Sequence, residues 1–172
     1  MESIDVMTYP EGKDKFIQSW GTLGSNWGIN RTMAQIHALL LIASQSLSAE
    51  QVRDELQISM GNANMNLRAL INWGLVYKEL KPGERKEYFI AEKDMLEIVK
   101  KIIQQRKKKE LEPLTKVLDE LSAVQAEDKQ SAEFVRVMNE IKLFSSKTDT
   151  LLDRISTSDS NWLFGTFLSL MK

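Results

Sequence analysis

Two short helices with their own N-terminal caps, placed close together in the chain, constrain the fold more than any other feature. Ser48–Gln51 has the Ser-x-x-Gln pattern of a capping box, which predicts a short helix over Ala49–Leu56. Ser59 is suited to cap a second helix, Met60–Trp73, and Gly74 is suited to end it. Two capped helices joined by about three residues predict a helix-turn-helix.

The hydrophobic periodicity changes directly after the second predicted helix. Two β-prone runs, Leu75–Leu80 and Arg85–Ile90, flank a turn in which Pro82 fixes φ and Gly83 permits a positive φ. This pattern predicts a β-hairpin. A hairpin that directly follows the second helix occupies the place of a wing, so the segment is expected to form a winged helix-turn-helix.

Apolar residues at helical spacing predict helices for most of the remaining chain. Helices are expected over 11–27 and 31–44 and in a short segment, Trp162–Met171. Long apolar stripes beyond Met95 predict further helices, and Pro113 should kink or restart one of them. We therefore predict a mainly α fold class. Residues 11–92 should form a winged helix-turn-helix DNA-binding domain with a two-stranded β-hairpin wing, and residues 93–172 long helices forming a dimerisation region. The helix over 11–27 is a further candidate for the dimer interface.

The composition argues against an enzyme and against a bound cofactor or metal. The chain has no cysteine and one histidine, and it contains no GxSxG, P-loop or GxGxxG pattern. His37 lies in an apolar helix, where a core histidine is the favoured interpretation. The sequence has no apolar run of the roughly 20 residues that a membrane span needs and no signal-peptide pattern at its start, so a cytoplasmic location is expected.

The net charge of −1 supplies no general attraction for nucleic acid, so a DNA-binding surface has to be local. The second helix of the motif offers polar and small residues that would face a major groove, and asparagine can pair bidentately with adenine. The predicted helix contacts are Ser59, Met60, Gly61, Asn62, Asn64, Met65 and Arg68. The predicted wing contacts, suited to phosphates or the minor groove, are Lys78, Lys81, Arg85 and Lys86. The alternative is that the asparagines form a solvent face, and Asn66 is ambiguous because it lies near the packed side.

Two further features have a structural and a functional interpretation. Six basic residues lie between Lys100 and Lys109, and a solvated face of a dimerisation helix is favoured over electrostatic attraction to DNA. Trp20 and Trp27, with Tyr9 nearby, are candidates for an aromatic site that binds a quaternary ammonium effector. Packing between helices is the favoured interpretation of both tryptophans.

Three stretches resemble the GbsR-like branch of the MarR-type winged-helix regulators. They are Ile58–Leu70, with its Ser-x-Gly-Asn-x-x-Met-Asn-Leu-Arg string, then Trp73–Val76 and Gly83–Tyr88. The resemblance extends over roughly Phe16–Lys101, and Asn30 departs from the proline that this branch often has before the arginine. It implies a homodimer whose terminal helices form the interface and whose two winged helices bind successive major grooves of an operator. It also implies transcriptional regulation, often repression, sometimes of osmoprotectant genes.

The expected function is therefore that of a sequence-specific, double-stranded DNA-binding transcription regulator, a repressor that acts as a homodimer. A small-molecule effector is a further possible partner, and no membrane partner is expected. The alternative is a winged helix that serves as a protein-interaction module without DNA binding, because the fold alone does not fix function. The small, asparagine-rich helix surface favours the first interpretation, since protein interfaces favour aromatic and aliphatic anchors.

Overall fold

The structure, a computed structural model, describes residues 7–157, so the helix predicted over Trp162–Met171 lies outside the described residues. The chain divides into two compact units, one up to Asp94 and one from Met95 onwards. Helices make up most of both units, and the first also contains a small antiparallel sheet. The predicted mainly α fold with a winged helix-turn-helix is confirmed.

Helices α1, Tyr9–Asn26, and α2, Arg31–Ile42, begin the first unit. The first starts two residues before its predicted start because Thr8 and Glu11 form a capping box. The two helices pack very closely at Gly24, where a Cβ atom would lie 2.6 Å from the Cβ of Ala34. Asn30 caps α2, since its Oδ1 accepts a hydrogen bond of 3.1 Å from the Met33 amide. The departure from proline at this position thus has a local structural role.

Helix α2 is the centre of the core, with Ile36, Ala38 and Leu40 almost fully buried. It ends two residues before the predicted Ser44, and its terminal carbonyls are bound by a distant side chain. The Lys93 ammonium donates to the carbonyls of Leu40, at 2.9 Å, Leu41, at 2.5 Å, and Ala43, at 3.0 Å. A positive charge at a helix C-terminus is favourable because the last carbonyls point toward it.

The helix-turn-helix forms where the sequence predicts it. Helix α3 spans Ala49–Leu56 and α4 spans Met60–Asn72. Ser48 and Gln51 make both hydrogen bonds of the capping box, which confirms the predicted start of α3. In the turn, Gln57 adopts a left-handed conformation with φ of 52°, which lets the chain reverse direction within three residues.

The wing strands belong to a three-stranded sheet. Strands β1, Leu47–Ser48, β2, Val76–Leu80, and β3, Glu87–Ala91, are antiparallel and lie in the order β1-β3-β2. The hairpin prediction is confirmed, although the second hairpin strand begins at residue 87 rather than 85. The predicted wing lacked β1, which pairs Leu47 with Phe89 and lies immediately before α3. The wing is therefore hydrogen-bonded to the start of the helix-turn-helix.

The second unit is a helical hairpin built from α5, Met95–Arg106, α6, Glu112–Ser122, and α7, Lys129–Thr157. A π-helical segment, Lys107–Leu111, joins α5 to α6 without interrupting the helical backbone. The prediction that Pro113 kinks or restarts the helix is thus refined: the hydrogen-bond register changes just before the proline, whose ring and missing N–H then stand in the first turn of α6. Within residues 7–157, no helix has both the length and the apolar character needed to cross a membrane.

Candidate nucleic-acid interface

Helix α4 has one buried face and one face open to solvent. Ala63, Leu67 and Leu70 are buried against the rest of the unit. Five of the predicted contact residues are exposed, and the other two are half-buried. The exposed ones are Ser59, Gly61, Asn64, Met65 and Arg68, and the half-buried ones are Met60 and Asn62. The structure therefore exposes five of the seven predicted residues and leaves Met60 and Asn62 partly accessible.

The first turn of α4 is capped and leaves open space around its backbone. The Ser59 hydroxyl accepts a hydrogen bond of 3.2 Å from the Asn62 amide, as an N-cap does. A Cβ atom added at Gly61 would meet no atom within 4 Å. Packing inside the described protein therefore does not require a glycine here, although glycine is unfavourable in a helix. The open space would allow another molecule to approach the backbone closely.

The two asparagines that were predicted to read bases have different surroundings. Asn64 is exposed, and its side chain makes no hydrogen bond with any described residue. The amide oxygen of Asn62 instead accepts a hydrogen bond of 2.6 Å from Nδ2 of Asn66. Asn66 is only 3% exposed, and its Nδ2 also donates to the Asn62 carbonyl at 2.9 Å. The ambiguous asparagine of the sequence is therefore a core residue that holds Asn62.

Met65 and Arg68 complete the exposed face. Met65 is 59% exposed, so its apolar side chain is accessible to another molecule. Such a group can contact the methyl of a thymine in a major groove. Arg68 is exposed and forms no ion pair with a described residue, so its guanidinium is available to a phosphate.

The basic residues of the wing are less free than the sequence suggests. The Lys78 ammonium lies 2.7 Å from a carboxylate oxygen of Glu87 on the neighbouring strand. The Lys81 ammonium stands 3.9 Å from the centre of the Tyr88 ring in a cation–π contact. Both side chains thus have a partner within the wing. Sequence reasoning missed these partners because it considered the basic residues one at a time.

Arg85 and Lys86 are the more available cations of the wing. Arg85 is exposed and has no ion-pair partner among residues 7–157. Lys86 makes only a loose pair, 3.9 Å from Glu50, with 61% of its side chain exposed. Between Val76 and Ala91 the sequence has four basic and three acidic residues, which leaves a net charge of +1. Any attraction of the wing for phosphate would therefore come mainly from the turn around Arg85.

Trp20 and Trp27, the candidate effector residues, lie at separate places along the first helix. Trp20 is half-buried and packs against Phe16 and His37, with its Nε1 donating to Nδ1 of His37 at 3.3 Å. Trp27 is 55% exposed at the C-terminal cap of α1. No ring contact joins the two tryptophans in the part of the chain that the structure describes. The geometry of Trp20 is that of a packing residue between α1 and α2.

Part of the basic run of the second unit is paired with acidic side chains. Lys107 contacts both Asp149, at 3.1 Å, and Asp153 on α7. The hydrogen bond that Lys107 donates to Asp153 is the main cause that raises the pKa of Lys107. Lys100 lies 3.0 Å from Glu97 one turn earlier in α5. These pairs fit a helical surface whose charges are balanced within the unit.

The comparison with solved structures finds a similar protein, whereas the two other comparisons do not. A scan against protein-family models gives no match, and a search of curated proteins finds no significant relative. One solved structure, described as a transcriptional regulator, is similar over 86% of this chain and 99% of its own, with a TM-score of 0.57. The two sequences are 19% identical. At this identity the similarity shows a shared fold.

Proposed function

We propose that the chain is a cytoplasmic, sequence-specific, double-stranded DNA-binding transcription regulator of the GbsR-like branch of the MarR type. It acts as a homodimer and represses by occupying its operator. The exposed face of α4 carries the proposal, since it combines a glycine with open space, accessible asparagines and a free arginine. The solved transcriptional regulator of the same fold supports a regulatory role.

In this mechanism α4 enters the major groove and the wing contacts the backbone. The first turn of α4 would approach closely at Gly61, where no side chain stands in the way. Asn64 and Met65 would reach base edges, while Arg68 and Arg85 would bind phosphates and fix the register. A dimer that occupies two half-sites would exclude other proteins from the same duplex.

Exposed apolar side chains in the second unit support the homodimer. Phe144 is 72% exposed and Leu143 57% exposed on α7, and other large apolar residues of the unit are also exposed, though less so. These others include Met95, Val99, Leu114, Val117, Phe134, Ile141 and Leu151. Apolar surface of this extent is typical of a surface that another chain covers. A second copy of the same chain is the partner that we propose.

The first experiment measures binding of the purified protein to a random pool of duplexes and to the sequences selected from that pool. We expect binding that weakens as salt is added, because phosphate contacts release counterions. Asn64→Ala should reduce affinity for the selected duplex and relax its base preference, by about 1–3 kcal/mol at one position. Arg85→Ala should weaken all duplexes by similar factors.

The controls separate DNA reading from general damage to the fold. Lys15→Ala removes an exposed cation of α1, outside the proposed interface, and should leave both affinities unchanged. Equal losses on selected and random duplexes for Asn64→Ala would contradict its assigned role. A folded protein that binds no duplex at low salt would contradict the proposed function and favour the protein-interaction module.

A further inference from the structure

We infer that Asn66 is a positioning residue for Asn62. It holds the side-chain amide of Asn62 with the N–H donors of that amide facing outward, so that α4 favours guanine over adenine at the base that Asn62 meets. This inference rests on the proposed DNA binding and goes beyond it, because it names the base chemistry. It also replaces the bidentate pairing with adenine that the residue type alone suggests for Asn62.

The hydrogen bonds themselves identify the donor. Nδ2 of Asn66 lies 2.9 Å from the main-chain carbonyl oxygen of Asn62, which can only accept a hydrogen bond. The atom facing that carbonyl therefore has to be the nitrogen of the Asn66 amide. The same nitrogen lies 2.6 Å from the side-chain oxygen of Asn62. Its two hydrogens are thus directed to the main chain and to the side chain of one residue.

This pairing determines which end of the Asn62 amide is available. The oxygen and the nitrogen of a primary amide are the two arms of a planar fork. Because Asn66 is 3% exposed, it lies on the packed side of α4, and the oxygen of Asn62 is turned toward that side. The nitrogen arm of Asn62, with its two N–H donors, therefore points away from the packed side.

An amide that presents only its N–H donors to the groove distinguishes the bases by their major-groove edges. Adenine pairs bidentately with asparagine by accepting at N7 and donating from N6, so it needs both arms of the amide. Guanine presents acceptors at both N7 and O6, whereas thymine presents one acceptor, O4, and cytosine only a donor. Because the oxygen of Asn62 is turned toward the packed side and bonded to Asn66, the N–H donors that face outward match the guanine edge best.

The location of Asn66 supports a positioning role. An uncharged apolar residue would be the ordinary choice for a buried position between Ala63 and Leu70 on the packed face of a helix. The main-chain carbonyl of Asn62 already accepts the usual helical hydrogen bond from the Asn66 backbone, four residues on. The side-chain amide of Asn66 is therefore not needed to complete the helix, and its remaining effect is to hold the Asn62 side chain.

The experiment compares base preference in the wild-type protein, Asn66→Leu and Asn62→Ala, with Kd measured for four duplexes that differ at one position. That position is the one at which the wild-type protein shows a base preference in a selection from random duplexes and Asn62→Ala does not. We expect the wild type to favour guanine over adenine there by about tenfold. Asn66→Leu, which frees the Asn62 amide to rotate, should lower this ratio at least several-fold and shift the preference toward adenine.

Matched variants complete the test. Asn66→Leu should change nothing in the Asn62→Ala background, because the side chain that it acts on is absent. Asn64→Ala should alter preference at a different position and leave the guanine ratio unchanged. Asn66→Ser keeps a hydroxyl that can bond the Asn62 carbonyl, and it replaces Asn66→Leu in these measurements if the leucine variant does not fold. In the wild-type protein without DNA, the side-chain amide protons of Asn66 should exchange with solvent more slowly than those of Asn64.

Several results would overturn the inference while leaving DNA binding intact. These are a wild-type preference for adenine at the Asn62 position, an unchanged guanine ratio in folded Asn66 variants, or equal exchange rates for the two amides. An equal loss of affinity for all four duplexes in Asn66→Leu would mean that Asn66 only stabilises the helix. Absence of any duplex binding by the folded wild type would instead refute the proposed function, on which the inference rests.

Discussion

Gly61 is the second residue of α4, a position where glycine weakens the helix and no neighbouring atom requires it. Gly61→Ala should therefore raise the free energy of unfolding by about 0.5 kcal/mol. The added methyl would stand between the helix and a groove, so affinity for the selected duplex should fall at least several-fold. Urea denaturation and duplex titration measure the two effects.

Gly12→Ala is the matched control for this substitution. Gly12 also lies in a helix, α1, and a Cβ there would make only an ordinary contact of 3.8 Å with the sulfur of Met7. It should stabilise the protein by a similar amount without changing the affinity for DNA. If both variants bind DNA like the wild type, the open space at Gly61 is not used for close approach.

His37 makes stability depend on pH. Its ring is 3% exposed, its Nδ1 accepts from Trp20, and its Nε2 has no partner among the described residues. Burial, and secondarily the charge of Lys93, lowers the pKa of His37 from 6.5 to about 4. Between these values the unfolded chain binds more protons than the folded one. Stability should therefore fall as pH drops from 6.5 toward 4, by about 3 kcal/mol, and be fully present above pH 6.5.

Urea denaturation of the wild type and of His37→Gln across this pH range measures the effect. Glutamine keeps a polar side chain but does not titrate, so the variant should lose less stability on acidification. The difference between the two proteins isolates the histidine from the carboxylates, which titrate in both. Identical losses in the two proteins would contradict this account of His37.

At the scale of elements, the cap of α2 by Lys93 is a contact between residues about fifty positions apart. Lys93→Met should lower the free energy of unfolding by about 1–2 kcal/mol, because three carbonyls lose a charged donor at the end of a core helix. Thermal and urea unfolding test this. Lys15→Met, at an exposed position of α1, should have little effect, and an equal loss in both variants would argue against a specific cap.

The elements that the sequence predicts well are those whose determinants are local. The caps at Ser48 and Ser59 depend on atoms within three residues, so the helix-turn-helix can be located from the sequence. Strand β1 cannot be predicted in this way, because its two residues form a strand only by pairing with Phe89 and Tyr88. The same limit applies to the partner-bound lysines, whose acidic or aromatic partners lie elsewhere in the chain.

The candidate site could be predicted from the sequence only in part, although its determinants are local. The exposure of the α4 face follows from its helical period, and this part of the site was predictable. The link from Asn66 to Asn62 spans four residues of one helix, a spacing at which side chains meet, so it was available as a signal. It was missed because each asparagine was considered as a separate contact to DNA.

At the scale of the whole molecule, the proposed dimer gives a further prediction. Phe144→Glu places a charge on an exposed aromatic position of α7, and it should lower the dimer fraction in sedimentation equilibrium. Operator affinity should fall in parallel, because one winged helix alone contacts half of the site. A reduction of both by at least tenfold is expected.

Asn139→Glu is the control for this variant, since residue 139 is exposed and lies about 140° around the same helix from residue 144. It adds the same charge without removing an apolar group and should leave the dimer intact. A Phe144→Glu protein that remains dimeric at low concentration would show that this side of α7 is not the interface.

The partner-bound lysines of the wing have a consequence for how such a regulator finds its site in a genome. Random DNA offers roughly 10⁶–10⁹ competing positions, and a protein is held on them by its free cations. With Lys78 and Lys81 engaged inside the wing and a net charge of −1 on the chain, few phosphate contacts remain for random sequence. Such a protein would search mainly by repeated encounters from solution rather than by sliding. Its operator affinity would still fall with added salt through Arg68 and Arg85, but less steeply than if Lys78 and Lys81 also bound phosphates.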